Sequence, residues 1–483
     1  MANTESARRK IMLILSDYYI PNLCIKIKIT ALEVFNNTGK TPSRHTLYKG
    51  LKIVMINVLN LNGRLNFLMI SKQYHSTPSR QKYGNVFKTH LLGKPVIRVT
   101  GAENIRKILM GEHSLVSAQW PQSTRIILGF NTLANSIGEL HRQRRRILAK
   151  VFSHSALDSY IPRIQQVVRS RIRGWCGERG AVTVYPATKA LTFRIAIRIL
   201  LGLRATDQQL THLADIFEQL MDNIFSLPLD IPFSGLRKVR HRPSQPCCLS
   251  VCLSVCLSVC LPPSPLNPFP TSTESAVELI FAAFATTASA STSLMLQLLQ
   301  NGQVLEKMRQ ELEQHGLIRD CEWLETLSRL RYLDCVIKEV LRLLPPVSGG
   351  YRTALQTFEL DGCQIPKGWN IIYSIRDTQE TAAVFLNPDT FDPDRFGPER
   401  DENKKGRFNY IPFGAGVRSC IGKELAQVIL KILAIELTSA ARWELATATY
   451  PKMQTVPVVH PVDGLKVRFH CVDAKGNKLP TEE

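Results

Sequence analysis

Acidic residues are scarce: 40 Asp and Glu stand against 61 Lys and Arg in 483 residues, a formal net charge of +21. Such a balance suits nucleic acid, an anionic membrane or an acidic protein partner, and the absence of any nucleic-acid-binding module argues against the first. Long apolar runs are missing from the N-terminal part. Leu51 to Ile70 is rich in aliphatic residues, but Asn57, Asn60, Asn62, Arg64 and Asn66 interrupt it, so it does not supply the roughly 18 apolar residues of a membrane anchor. Arg8, Arg9 and Lys10 lead only into a short apolar run that ends at Ser16 and Asp17, which is not a well-formed signal peptide. Residues 1–73 thus read as an atypical N-terminal segment. Histidine is lacking where a zinc knuckle would need it. Cys247, Cys248, Cys252, Cys256 and Cys260 crowd a Cys-Leu-Ser-Val stretch with no histidine and no turn-forming residue between the thiols, which excludes metal binding there. The remaining cysteines of the 12 are scattered, so the pattern is that of a reduced, cytosol-facing protein, not a secreted disulfide framework.

One cysteine stands apart. Cys420 lies in Phe413-Gly414-Ala415-Gly416-Val417-Arg418-Ser419-Cys420-Ile421-Gly422, directly before Leu425, Val428, Ile429, Ile432 and Leu433, which repeat at helical spacing. A helix therefore begins near Gly422 and aims its dipole and free N–H groups at Cys420, an environment expected to lower the thiol's pKa. The glycines let backbone approach a large flat ligand, Phe413 can pack on it, and Arg418 offers a cation to an acidic group.

Upstream, Val86, Lys88 and His90 alternate into Leu92, and Val96-Ile97-Arg98-Val99 follows Gly93-Lys94-Pro95, which predicts two short strands. In Gly138 to Arg146, His141 and Arg145 lie four apart and share one helix face. Helical patterns run through Ile161 to Ile172 and Leu191 to Leu201, until Phe225 to Phe233 breaks them with two prolines, an apolar loop of the kind that lines pockets. Leu279 to Leu299 carries no charge, but Thr286, Thr287, Ser289, Ser291, Thr292 and Ser293 make it a buried central helix and not a membrane span. Glu339 and Arg342 sit three apart before Pro345-Pro346, which stops their helix. Gly349-Gly350-Tyr351-Arg352 leads into a short strand.

Phe413, Gly416, Arg418, Cys420 and Gly422 match Phe-x-x-Gly-x-Arg-x-Cys-x-Gly, and on them the chain resembles the cytochrome P450 monooxygenases. The resemblance implies a mainly α fold with a small β region over residues 74–483, interrupted by a low-complexity insert or replacement at about 238–273. It implies haem b with Cys420 as the axial ligand to iron, Phe413 and Gly422 against the ring, and His141, Arg145, Arg352 and Arg418 as cationic or polar partners of the propionates. Thr286 falls at the position of the alcohol that assists proton delivery to dioxygen. Ala285 replaces the acidic residue often found before it, so a relay would run through Thr286, Thr287 and water. Glu339, Arg342 and Arg395 would form a buried structural triad behind the Cys420 loop.

Trp120-Pro121-Gln122-Ser123, Asn135 to Gly138, Phe225 to Phe233, Ala288 to Ser291, Val347 to Tyr351 and Thr455 to Pro461 are together similar to the retinoic-acid hydroxylases, family 26, and Ala441 to Leu445 leans toward its C subfamily. This likeness covers about Tyr83 to Arg237 and Glu274 to the end. It implies hydroxylation of all-trans-retinoic acid at ring carbon 4, with electrons passed from NADPH by NADPH-cytochrome P450 reductase. Trp120, Phe225, Phe281, Val347, Ser348 and Tyr351 would line the pocket. The expected location is the cytosolic face of the endoplasmic reticulum membrane, with a membrane surface but no nucleic acid among the partners. The rival readings are a non-catalytic haem or retinoid binder and a haem-thiolate isomerase that needs no reductase.

Overall fold

The computed structural model describes residues 83–91, 94–130, 132–203, 205–224, 273–316 and 323–472. Two strands open it, β1 (Val86–Leu91) and β2 (Lys94–Val99), which pair antiparallel as the sequence alternation predicted. There follow α1 (Ala102–Met110), β3 (Val116–Ala118), α2 (Gln122–Leu128), α3 (Gly138–Ala149), α4 (His154–Cys176), β4 (Val182–Thr183), α5 (Val184–Ile195) and α6 (Asp207–Asn223). Beyond the low-complexity region come α7 (Thr273–Gln300), α8 (Gly302–Gln314), α9 (Trp323–Arg329) and α10 (Arg331–Leu343). Strands β5 (Gly349–Ala354), β6 (Phe358–Leu360), β7 (Cys363–Ile365) and β8 (Asn370–Ser374) lead to α11 (Ile375–Thr381). The chain closes with α12 (Lys423–Ala440), β9 (Ala441–Leu445), β10 (Met453–Gln454), β11 (His460–Pro461) and β12 (Lys466–Cys471).

The helices hold together because their apolar residues fall on single faces. In α10, Leu333, Val336, Ile337, Val340 and Leu341 recur every three or four residues and are all buried. They meet Leu425, Val428, Ile429, Ile432 and Leu433 of α12, Leu294 and Leu298 of α7, and Ile161, Ile164, Val168 and Ile172 of α4 in one core. Helix α7 is long and apolar enough to cross a membrane, yet its most apolar stretch is 78% buried inside the protein. Its hydroxyls bond within that interior: Ser289 Oγ donates to the Val459 carbonyl, and Thr292 Oγ1 meets Thr188 Oγ1 of α5 at 2.8 Å. A second core gathers Leu128 of α2, Phe193 of α5, Phe217 of α6 and Phe284 of α7, so segments on both sides of the low-complexity region pack together.

The strands form a side layer. Their largest sheet runs β1-β2-β8-β5-β3, with β2 and β8 parallel and the other neighbours antiparallel. Gly349 sits where a Cβ would run into the Tyr373 carbonyl of β8, so only glycine lets β5 approach so closely. A smaller sheet, β4-β12-β9, lies beside α4.

Candidate active site

The Cys420 loop is shaped by its own backbone. Gly414 N–H donates to the Ile411 carbonyl at 2.9 Å, Ser419 N–H to Gly416 at 3.1 Å, and Cys420 N–H back to Phe413 at 2.9 Å. Gly416 has φ +70°, and a side chain there would strike the Leu109 carbonyl of α1. Helix α12 starts at Lys423 with Gly422 as its N-terminal flanking residue, and the Gly422 N–H points at the Cys420 sulfur. The thiol is open to solvent on one side and packed closely on the others. Its pKa is raised, contrary to the sequence expectation: burial outweighs the opposing pull of the Gly422 N–H, Arg145 and Lys423. The helix end acts in the predicted direction and is overcome by desolvation.

Beside this loop lies a buried cationic cluster. His141 of α3 is 2% exposed, and its Nδ1 is buried without a hydrogen-bond partner. Burial first, then Arg418, His113 and Arg145, push its pKa down to about 4, so the ring is neutral at pH 7. Arg145, one turn along α3, donates from Nη2 to Ser419 Oγ at 3.3 Å. Arg418 donates from Nε to Glu112 Oε1 at 2.6 Å and from Nη2 to the Ser136 carbonyl at 2.5 Å. Arg352 Nε faces the other oxygen of Glu112 at 2.7 Å. Glu112, whose side chain is 1% exposed, thus bridges two arginines expected to serve an outside anion. Nothing in the pattern Gly111-Glu112-His113 marked it. Arg352 and Arg418 share the carboxylate of Glu112, Arg145 reaches the Ser419 hydroxyl, and His141 is neutral, so these groups together leave two positive charges over. A dianionic ligand such as the bis-propionate edge of haem matches that surplus, and the orphaned Nδ1 of His141 supplies a further polar contact. The residues present fit haem.

A second unforeseen carboxylate secures the cluster. Glu278 of α7 accepts from the Leu133 and Ala134 N–H groups at 2.7 and 2.6 Å, and burial raises its pKa against their pull. The same short segment offers the Ala134 and Ser136 carbonyls to Arg418.

The predicted pocket residues divide. Trp120 meets Phe281 of α7 edge to face, with ring centroids 6.2 Å apart. Along α7, Phe281, Ala282, Ala283 and Thr286 break an otherwise buried run, so this face of the helix fronts open space. Thr286 Oγ1 donates to the Ala282 carbonyl at 2.6 Å, which leaves the oxygen's lone pairs for another donor. Tyr351 on β5 is partly buried, its phenol pKa raised by burial and lowered in part by Arg98. Ser348 donates to the Thr455 carbonyl at 3.5 Å, and Val347 is 41% exposed. Phe225 lies outside the described residues, as do residues 1–73 and most of 238–273.

Behind the loop, Glu339, Arg342 and Arg395 come together. Arg342 Nε and Nη2 grip Glu339 at 2.7 and 2.9 Å, and Arg395 Nε reaches the same carboxylate at 3.0 Å. Arg395 Nη1 turns to Glu402 at 2.9 Å, a partner the sequence did not reveal. Carbonyls of Leu386, Pro388 and Thr390 take the remaining donors. Gln379 of α11 adds a clasp: its amide donates to the Arg342 carbonyl at 2.9 Å, and its oxygen accepts from Ile411 N–H at 3.0 Å.

Comparison with known proteins agrees with this geometry. The family model described as cytochrome P450 matches residues 54–242 and 271–469. Cytochrome P450 26B1 of Xenopus tropicalis is 52% identical over 87% of this chain and 88% of its own length. Cytochrome P450 26C1 of Homo sapiens is 54% identical over 84% and 86%. A retinoic acid bound cyanobacterial CYP120A1 superposes with a TM-score of 0.74 at 32% identity, covering 82% of this chain and 94% of that one. A helical fold with a cysteine loop of this kind defines a haem-dependent monooxygenase that draws electrons from a redox partner. The chain belongs to the cytochrome P450s, and within them to family 26.

Proposed function

We propose that this protein hydroxylates all-trans-retinoic acid at ring carbon 4, with electrons delivered from NADPH by NADPH-cytochrome P450 reductase. The observation that carries the reading is the apolar face of α7 from Phe281 to Thr286, walled by Trp120 and set beside a buried cluster with two surplus positive charges. Likeness to the retinoic-acid-bound neighbour supports the substrate class.

In this reading Cys420 would ligate the haem iron, and Arg145, Arg352, Arg418 and His141 would hold the propionates. The haem would supply the oxidising chemistry through its thiolate-ligated iron. Phe413 and Gly422 would pack against the ring, while Glu339, Arg342 and Arg395 would keep the loop in place. Thr286 Oγ1, anchored to Ala282, accepts a hydrogen bond from water or substrate and so keeps a proton donor at the open face of α7. Trp120, Phe281, Val347, Ser348 and Tyr351 exclude water from an apolar acid, and the family resemblance adds Phe225 to this set. Residues 74–483 form one catalytic domain interrupted at about 238–273, which the common core across that interval supports. The charge of +21 suits an acidic reductase and the anionic cytosolic face of the endoplasmic reticulum membrane.

The test is the carbon monoxide difference spectrum of the reduced protein, followed by product analysis with reductase and retinoic acid. The thiolate-haem band with reductase-dependent 4-hydroxylation is the expected result. The band without product would leave a non-catalytic haem or retinoid binder, and product formed without reductase would favour an isomerase. Thr286→Ala should keep the band while lowering the yield of hydroxylated product per NADPH consumed.

A further inference from the structure

The small sheet β4-β12-β9 rests on α4 at a point where two free thiols meet. Cys176 is the last residue of α4 and Cys471 the last of β12, and their side chains are hydrogen-bonded to one another. Their neighbours pack together as well: the Trp175 and Phe469 rings lie with centroids 5.5 Å apart, and Phe469 shares a face of β12 with Cys471. Both backbones are fixed where the thiols touch. Gly177 N–H closes the end of α4 on the Arg173 carbonyl at 3.1 Å, while Cys471 pairs with Ala441 of β9 and the Val472 N–H donates to the Ala440 carbonyl at 3.1 Å. The other described cysteines lie apart: Cys335 packs with Phe385 and Phe396, Cys363 is exposed on β7, and Cys420 stands in its loop. A buried free cysteine is ordinarily a small apolar filler. Two that touch, one of them reaching solvent, are a latent covalent bond.

We propose that Cys176 and Cys471 form an oxidation site for hydrogen peroxide, closing into a disulfide that ties the end of α4 to the small sheet. Cys471, partly exposed, is the sulfur that peroxide reaches, and Cys176, 8% exposed, is the one that resolves it. The Cys471 sulfur attacks the peroxide, breaks its O–O bond and becomes a sulfenic acid as one water leaves. The Cys176 sulfur then attacks Cys471, and its proton goes to the departing hydroxyl, which leaves as a second water. Two thiols thus lose two electrons and two protons, and one peroxide becomes two waters. Burial, and then the contact with Cys471, push the Cys176 pKa up to about 12, which keeps that thiol protonated and inert toward peroxide itself. The sulfurs, already in contact, need only close to about 2.05 Å. The bond would enclose α7, α10 and the Cys420 loop in one covalent ring, the long-loop case in which a cross-link restrains the unfolded chain most. In reducing surroundings such a bond is transient, so the site reports oxidant and is reset by thiols.

The experiment treats the haem-loaded protein with a small excess of hydrogen peroxide, alkylates the remaining thiols, and maps the peptides by mass spectrometry before and after dithiothreitol. The expected result is a peptide pair joined through Cys176 and Cys471, loss of the two alkylatable thiols at those positions, and recovery of both on reduction. Cys471→Ser should abolish the link, leave Cys176 alkylatable once the protein is unfolded, and keep the carbon monoxide band. Cys176→Ala, made in parallel, should halt Cys471 at the sulfenic acid, which dimedone traps. Both thiols unchanged, Cys471 carried on to the sulfinic acid with Cys176 left free, or a link from Cys471 to a different cysteine would each overturn the site. So would a link that forms only in urea-unfolded protein, because the contact in the fold is its basis.

Discussion

Two buried charge networks flank the Cys420 loop, and they differ in what they leave over. On the inner side, Glu339, Glu402 and Asp392 meet Arg342, Arg395 and Arg400, charge for charge, with backbone carbonyls taking the spare donors. On the outer side, Glu112 meets Arg352 and Arg418 while Arg145 reaches the Ser419 hydroxyl, and the orphaned imidazole nitrogen of His141 belongs to the same cluster. A closed network holds shape; an unbalanced one is built to receive a charge. The protein uses the same residue types for both tasks and separates them by stoichiometry.

Substitutions can break this contrast. Cys420→Ala should remove the carbon monoxide band entirely, and a retained band would sink its assignment as the iron ligand. Arg395→Ala leaves Glu339 to Arg342 and Glu402 to Arg400, so the buried network is one positive charge short, and should destabilise the fold by about 3–5 kcal/mol in denaturant titration. Arg352→Met, on the outer side, leaves Glu112 paired with Arg418. It should cost no more than about 1–2 kcal/mol of stability while speeding haem loss to an acceptor protein; equal destabilisation by the two changes would erase the contrast.

The pH dependence of His141 is a subtler probe. Its folded pKa, about 4, lies below the ordinary value of 6.5, so the unfolded chain binds the proton more readily. Its contribution to stability is present above pH 6.5 and is lost as pH falls toward 4. The full loss is up to about 3 kcal/mol. His141→Gln should flatten the fall in stability across that window, and an unaltered slope would show that other groups carry it.

The sequence made legible whatever rests on spacing. The Phe413 to Gly422 motif and the helix after it, Glu339 with Arg342 on one face, His141 with Arg145 one turn apart, and α7 as a central buried helix are all consequences of local periodicity. The residues it hid are those whose role depends on distant partners. Glu112 meets Arg418 across 306 positions, and Glu278 caps Leu133 across 145. Nothing within a turn of either residue records that meeting. The Cys420 pKa failed for a related reason: the helix end is visible in one dimension, but desolvation is a property of packing. The family relationship was readable as well. The preference for the C subfamily stays a proposal, since human 26B1 and 26C1 are 51% and 54% identical to this chain.

Gln379 carries a consequence for assembly. Its side chain joins the end of α10 to Ile411, two residues before Phe413, and the Gly414, Ser419 and Cys420 N–H groups bond to carbonyls of the same loop. These bonds meet part of the entropy of ordering the loop from within the protein itself. A substitution at Gln379 should show itself in the rate at which added haem is taken up sooner than in the spectrum of the protein once it is loaded.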